Sequence, residues 1–295
     1  MDSNNSNNSN KNIPTAMVVL QSVQGIQQML PTNWDDVKRE KVAAVLRQMD
    51  IQPVILQRVA RAMGGYTNAF VLDNSGSMRT PVKSSSFAQG RSVTRHQEML
   101  GFLEFVLPLM VAQSPEGADV WLLNHPHSGA PGPYRIQNVQ TLEQLKQHLG
   151  EPCGNTPLVP TLMQVFNAHQ DHIHGEGLHV VVITDGQPDD YNGQPGRDAL
   201  FYLLATGSVH RPNPRKCTVS FLVATDMHED VEYLDMIDRH CPFVDVTDDY
   251  ATERAQVARM RTFPRPLSLG DWAFKAVVYD EVMDASDEPC CCIIS

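Results

Sequence analysis

The sequence predicts an α/β fold in which a mostly parallel, doubly wound sheet is covered by helices on both faces. Two observations carry this. Leu178–Thr184 and Thr218–Ala224 are runs of apolar residues, the pattern of strands buried on both sides, as parallel sheets require. From Tyr66 onward such runs alternate with segments whose apolar residues follow helical spacing, and alternation of that kind builds a covered parallel sheet.

A helical segment over 14–65 comes first. Val19, Val23, Ile26 and Leu30 keep helical spacing until Pro31-Thr32-Asn33 breaks the run. Val42, Val45, Leu46 and Met49 form a second stripe behind the acidic start Asp35-Asp36. Pro53 opens a third helix with Leu56, Val59, Ala60 and Met63 on one face, closed by Gly64-Gly65. These apolar faces are expected to pack on the following domain, the alternative being a partner protein.

The domain itself is expected over 66–262. Asn68–Leu72 reads as a strand, Glu98–Leu109 as an apolar helix and Ala118–Leu123 as a buried strand. Tyr134–Val139 alternates like an edge strand, and a helix from Thr141 to Leu149 follows with Thr141 as its cap; one edge strand of the sheet is expected to be antiparallel. Then come a helix over Pro157–His169, the strand Leu178–Thr184, a helix over Asp198–Ala205 and the strand Thr218–Ala224. A helix over Val231–Arg239, a short strand Phe243–Val246 and a helix over Ala251–Met260 complete a Rossmann-like succession. Ligands in such sheets bind beyond the carboxyl ends of the strands.

Composition narrows the function. The 295 residues are 42% hydrophobic, enough for a sizeable core, and the formal charge of −11 argues against a nucleic-acid partner. Six cysteines are too few for a disulfide scaffold, and three of them stand in the last six residues. Residues 1–13 form a Ser/Asn-rich polar tail, expected to be disordered and unlike a signal peptide. No apolar run approaches the roughly 20 residues of a membrane helix, since Met99–Ala112 is short and carries Glu104.

The remainder, 263–295, reads as a tail ending in Cys292-Ile293-Ile294-Ser295, the C-a-a-X pattern of prenylation with a serine end that favours farnesyl. One lipid chain anchors only marginally. The flank is acidic, with Asp280, Glu281, Asp284, Asp287 and Glu288, so the expected second anchor is palmitoylation of Cys290 and Cys291. The expected location is therefore cytoplasmic and membrane-associated.

Three loops at expected strand ends carry small oxygen donors. Asp73-Asn74-Ser75-Gly76-Ser77 follows the first strand, Gly154-Asn155-Thr156-Pro157-Leu158 precedes a helix, and Thr184-Asp185-Gly186 ends a later strand. Alternate positions of a tight turn can aim Asp73, Ser75 and Ser77 at one point, and hard oxygen donors suit Mg²⁺ or Mn²⁺.

D-x-S-x-S, G-x-T-P-L and T-D-G, in that order, resemble the metal-ion-dependent adhesion site of von Willebrand factor type A domains. The resemblance covers about residues 66–262. It implies that Ser75, Ser77 and Thr156 ligate the metal directly, with Asp73 and Asp185 completing the site, commonly through water. It further implies a partner protein that offers an Asp or Glu to the metal. The threonine loop has Asn155 where a second glycine is common, which leaves the threonine's role intact.

The expected function is thus a non-enzymatic, metal-dependent interaction module. One alternative is phosphotransfer with Asp73 as nucleophile. Phosphatases of that kind usually place a second acid two residues later, where this chain has Ser75. Another is an adaptor binding through 14–63. His169, His172, His174 and His179 form a histidine-rich stretch not expected to bind zinc, a zinc site needing converging ring nitrogens, and a surface role is expected for His169 and His172 at a helix end. His125 and His127 read as loop residues. Cys153, Cys217 and Cys241 are expected to be buried or half-buried, and Arg254, Arg259, Arg261 and Arg265 a solvated basic face.

Overall fold

The computed structural model describes residues 22–60, 62–83, 85–87, 92–125, 132–205, 208–225, 227–260 and 265–278. The Ser/Asn-rich tail, Val19, His127, Arg261 and the cysteines expected to carry lipid, Cys290, Cys291 and Cys292, lie outside the described residues.

Six strands form one sheet: β1 (Thr67–Leu72), β2 (Ala118–Leu122), β3 (Tyr134–Ile136), β4 (Leu178–Thr184), β5 (Cys217–Val223) and β6 (Val244–Thr247). Their order is β3-β2-β1-β4-β5-β6. Every neighbouring pair is parallel except β2 with β3, the antiparallel edge. All residues of β4 and β5 are buried, as the apolar runs require.

Among the described residues there are eleven α-helices. In chain order they are α1 (Val23–Met29), α2 (Asp36–Gln48), α3 (Pro53–Val59), α4 (Arg95–Gln113), α5 (Val139–Leu149), α6 (Leu158–Ala168), α7 (Gln170–His174), α8 (Gly196–Leu204), α9 (His228–His240), α10 (Tyr250–Met260) and α11 (Leu269–Val277). Successive strand residues point to opposite faces, so each strand feeds two cores. Phe70, Leu72, Val181 and Ile183 pack with Phe102, Leu142 and Phe274 on one face. Ala69, Val71, Val180 and Val182 pack with Leu162, Leu200 and Leu234 on the other. The fold is α/β, Rossmann-like and doubly wound.

The helices before the sheet are not a separate body. Ile26, Leu30, Val42, Leu46 and Leu56 belong to the same core as Phe70 and Phe274. α11 is what they close against, although sequence reading left it inside the C-terminal tail. Ser268 and Asp271 form a reciprocal cap at its start, and Gly270 through Val277 are all buried. Asp271 accepts the backbone N–H of Gln52 at 2.6 Å and its side-chain amide at 2.8 Å. The Ser268 hydroxyl donates to the Asp50 carbonyl at 3.0 Å. Gly270 is required there, because an added Cβ would overlap the Met49 carbonyl oxygen.

Several local expectations change. The helix after β3 is capped by Asn138, whose Oδ1 accepts the Thr141 N–H at 3.0 Å, while Thr141 reciprocates from the third helical position. His169 is buried, with Nε2 3.1 Å from Asp119 Oδ2 and Nδ1 2.8 Å from the Val165 carbonyl oxygen. His179 is buried within β4, 2.9 Å from the Thr218 hydroxyl. His169 is thus an interior group rather than a surface one, because Asp119 on β2 offers it a polar neighbour, and His179 is interior as its strand requires. Cys217 and Cys241 are buried as expected, whereas Cys153 is exposed on its loop. Arg265 is not merely solvated: its guanidinium reaches Asp50 and its carbonyl, joining the last segment to the end of α2.

Candidate metal centre

β1 pairs with β2 on one side and β4 on the other. The chain therefore winds outward from β1 to β3, then crosses back to β4 and winds the other way. Loops diverge at such a reversal and leave a crevice beyond the strand ends. Asp73 follows β1 and Asp185 follows β4, so the two carboxylates flank this crevice.

Asp73 is fully buried. Its Oδ1 accepts the Ser75 N–H at 2.9 Å and its Oδ2 accepts the Thr184 hydroxyl at 2.6 Å. Burial pushes its carboxyl pKa above the ordinary 3.8; the bonds from Ser75 and Thr184 oppose that shift and the nearby Asp185 adds to it. The bond to Ser75 also turns the backbone sharply into the short 3₁₀ segment Gly76–Arg79. That turn brings the Ser75 and Ser77 hydroxyl oxygens to 3.0 Å from one another, and Ser77 donates to Asp185 Oδ1 at 2.8 Å.

The threonine loop is fastened to the same turn through its backbone. Gly76 N–H donates to the Gly154 carbonyl at 3.1 Å, and Cys153 N–H donates to the Asn74 carbonyl at 2.8 Å. Gly154 has φ of +82°, and a Cβ there would lie 2.5 Å from Asn124 Oδ1, so glycine is needed. Asn124 in turn exchanges two hydrogen bonds with Asn74, at 2.7 and 2.8 Å. Thr156 is buried, and its carbonyl accepts N–H groups from Leu158 and Asp189 at 2.7 and 2.9 Å. No hydrogen bond to its hydroxyl is made by the described residues, and the residue is 8% exposed.

Arg95 also belongs to the centre, and sequence reading missed it. It is the first residue of α4, only 4% exposed. Its guanidinium donates to Asp185 Oδ2 at 2.7 Å and to the Thr225 hydroxyl at 2.6 Å, with Asp230 Oδ2 3.8 Å away. A signal existed: an arginine opening a helix opposes the helix dipole, so something nearby must compensate it. Tyr233 closes the floor, donating to the Gly186 carbonyl at 3.2 Å, and burial pushes its phenol pKa up.

These residues fit a small hard cation. Octahedral Mg²⁺ holds oxygen at 2.0–2.1 Å, so adjacent ligand oxygens stand about 2.9 Å apart. The Ser75–Ser77 oxygen separation of 3.0 Å has that spacing, and Asp185 accepts from Ser77 just outside it. The donors are all oxygen, and the Thr156 hydroxyl is free to add another. Among the described residues no three His, Cys, Asp or Glu side chains come together as a metal-binding group. His125 is exposed on its loop.

No protein-family model matches the chain, and no curated protein matches it.

Proposed function

We propose that this chain is a divalent-cation-dependent protein-interaction module of the von Willebrand factor type A kind, built around a metal-ion-dependent adhesion site. One observation carries the reading. Asp73, Ser75, Ser77 and Asp185 converge across the reversal between β1 and β4, with the Thr156 loop hydrogen-bonded to the same turn. In this reading Ser75, Ser77 and Thr156 are direct ligands, and Asp73 and Asp185 complete the site through water. The neutral hydroxyls of Ser75, Ser77 and Thr156 would hold Mg²⁺ or Mn²⁺, which would supply an electrophilic site for an Asp or Glu carboxylate of the partner protein. Each residue's own task follows from its bonds. Asp73 fixes the turn, Asp185 orients the Ser77 hydroxyl, and Arg95 holds Asp185.

The phosphotransfer alternative fits these residues less well. Both Asp73 oxygens are engaged in internal hydrogen bonds and the side chain is 0% exposed, whereas an attacking carboxylate needs a free, reachable oxygen. The adaptor alternative needs unoccupied apolar faces on 14–63. Ile26, Leu30, Val42, Leu46 and Leu56 instead face the domain's own core.

Among the described residues no helix is long and apolar enough to cross a membrane. In the proposed reading, attachment to the cytoplasmic face of a membrane rests on farnesylated Cys292 with palmitoylated Cys290 and Cys291. The charge of −11 keeps nucleic acid out of the partner list.

Affinity capture from lysate, with and without EDTA, tests the module, using wild type, Asp73→Ala and the surface control Val37→Asp. Val37 is 62% exposed on α2. Partners lost on chelation and in Asp73→Ala but kept in Val37→Asp support the reading. Partners indifferent to EDTA and to Asp73→Ala sink it. Cys292→Ser should move the protein from the membrane fraction to the supernatant of a eukaryotic cell, and unchanged partitioning refutes the anchor.

A further inference from the structure

Arg95 cannot ligate a cation, yet its guanidinium sits inside the centre. Two terms oppose its position. A positive side chain in the first turn of a helix meets the partial positive charge of unpaired N–H groups. A guanidinium on a side chain only 5% exposed must also be paired to offset its desolvation. Asp185 supplies the compensation, its side chain 0% exposed and one oxygen 2.7 Å from Nη1. Thr225 accepts the second arm at 2.6 Å.

The consequence is a matter of charge. Asp73 and Asp185 bring two negative charges to the crevice, and Arg95 cancels one of them. Asp230 stands 3.8 Å from the guanidinium with its side chain 37% exposed, so water screens most of what it adds. A centre with one net negative charge that takes up a divalent cation is left with one net positive charge.

We infer that Arg95 sets the strength of this metal centre. It weakens the hold on the cation alone and leaves the loaded centre with unbalanced positive charge, so tight binding requires an anionic ligand at the same time. Arg95 acts through Asp185 and is a positioning residue as well: its bond to Oδ2 leaves Oδ1 facing Ser77. The inference rests on the metal reading above and deepens it. Cation and anionic ligand then raise each other's affinity by the same factor.

Calorimetric titration of Mn²⁺ into the full chain tests this, with wild type, Arg95→Gln, Arg95→Lys and Asp230→Asn. Arg95→Gln keeps a donor for Asp185 without the charge, and Mn²⁺ should bind it about tenfold more tightly. Arg95→Lys keeps the charge and should stay within about threefold of wild type. Asp230→Asn removes a screened negative charge at a half-exposed position, and Mn²⁺ should bind it about threefold more weakly. It carries the test if Arg95→Gln does not fold. Acetate as a model carboxylate should tighten Mn²⁺ binding to wild type more than to Arg95→Gln. If Arg95→Gln binds Mn²⁺ no more tightly, or if the Gln and Lys variants weaken alike, Arg95 is scaffold only and the inference is overturned while the metal reading stands. If none of the four proteins binds Mn²⁺, the metal reading itself fails and takes this inference with it.

Discussion

Replacing Asp73 by Asn separates folding from metal binding, because the two effects have opposite signs. In the metal-free protein the Asp73 side chain is fully buried, and burial raises its carboxyl pKa above 3.8. A carboxyl raised in the folded state binds its proton more tightly there than in the unfolded chain. Its contribution to stability is therefore greatest in acid and falls as pH climbs from the unfolded value through the folded one. Above the folded value the metal-free wild type bears the whole cost of that buried charge, and the amide removes it.

The amide also keeps the local geometry. Its oxygen can accept from Ser75, while its NH₂ faces a Thr184 hydroxyl that can turn to the Gly186 carbonyl 3.5 Å away. Metal-free Asp73→Asn should thus melt at or above wild type. With cation at a hundredfold excess over its dissociation constant, mass action adds about 2.7 kcal/mol to wild type. For a domain of this size that raises the melting temperature by about 5–10 °C. The variant, lacking the charge, should shift by nearly nothing. Thermal unfolding followed by circular dichroism at pH 7, in EDTA and then in Mg²⁺ or Mn²⁺, measures both effects. A metal shift preserved in Asp73→Asn would refute its place at the centre. A metal-free variant melting well below wild type would show that hydrogen bonding, not charge burial, governs this side chain.

Other positions yield sharper tests of the fold. Arg211 is fully buried and donates to the carbonyls of Leu204, Cys217, Pro242 and Phe243 at 2.6, 2.6, 2.9 and 2.9 Å. Arg211→Met removes these four bonds, the Phe243 carbonyl keeping the Val219 N–H, and should cost about 3–5 kcal/mol in urea unfolding, with a loss under about 1 kcal/mol counting against the argument. Burial pushes the His179 ring pKa from 6.5 down to about 4, so its contribution is intact above pH 6.5 and drains away as pH falls toward 4. The full loss is about 3 kcal/mol, and the urea midpoint of His179→Gln should fall less between pH 7 and pH 4.5 than that of wild type. Gly270→Ala forces a methyl group onto the Met49 carbonyl. It should destabilise by about 1–3 kcal/mol and speed proteolysis between α2 and α3, whereas an unaltered digestion pattern would mean that α11 does not clamp those helices.

The apolar runs that became β4 and β5 were legible because a strand buried on both faces cannot alternate, and that is a property of neighbouring residues. The same holds for the turn at Asp73-Asn74-Ser75, whose geometry Asp73 sets through a bond only two residues away. A reciprocal cap at Ser268 and Asp271 ahead of an apolar run was equally local and marks α11, although it is easily passed over in so short a segment. Sequence alone therefore determined the alternation of elements, the oxygen donors on three loops and the order in which they occur.

What it could not determine is who stands beside whom. Strand order is decided by hydrogen bonds between segments far apart in the chain, and only that order sets β1 against β4 and so Ser77 against Asp185, 108 residues away. Arg95 shows the same limit. Its place at the head of a helix hints at compensation, but nothing local says that the partner is a carboxylate 90 residues distant. Nor does anything local name the partners of His169 and His179, which stand on neighbouring strands. The donors were written in the sequence, but their convergence and the charge that Arg95 removes from it come from tertiary packing, because Coulomb and hydrogen-bond energies depend on distance in space rather than along the chain.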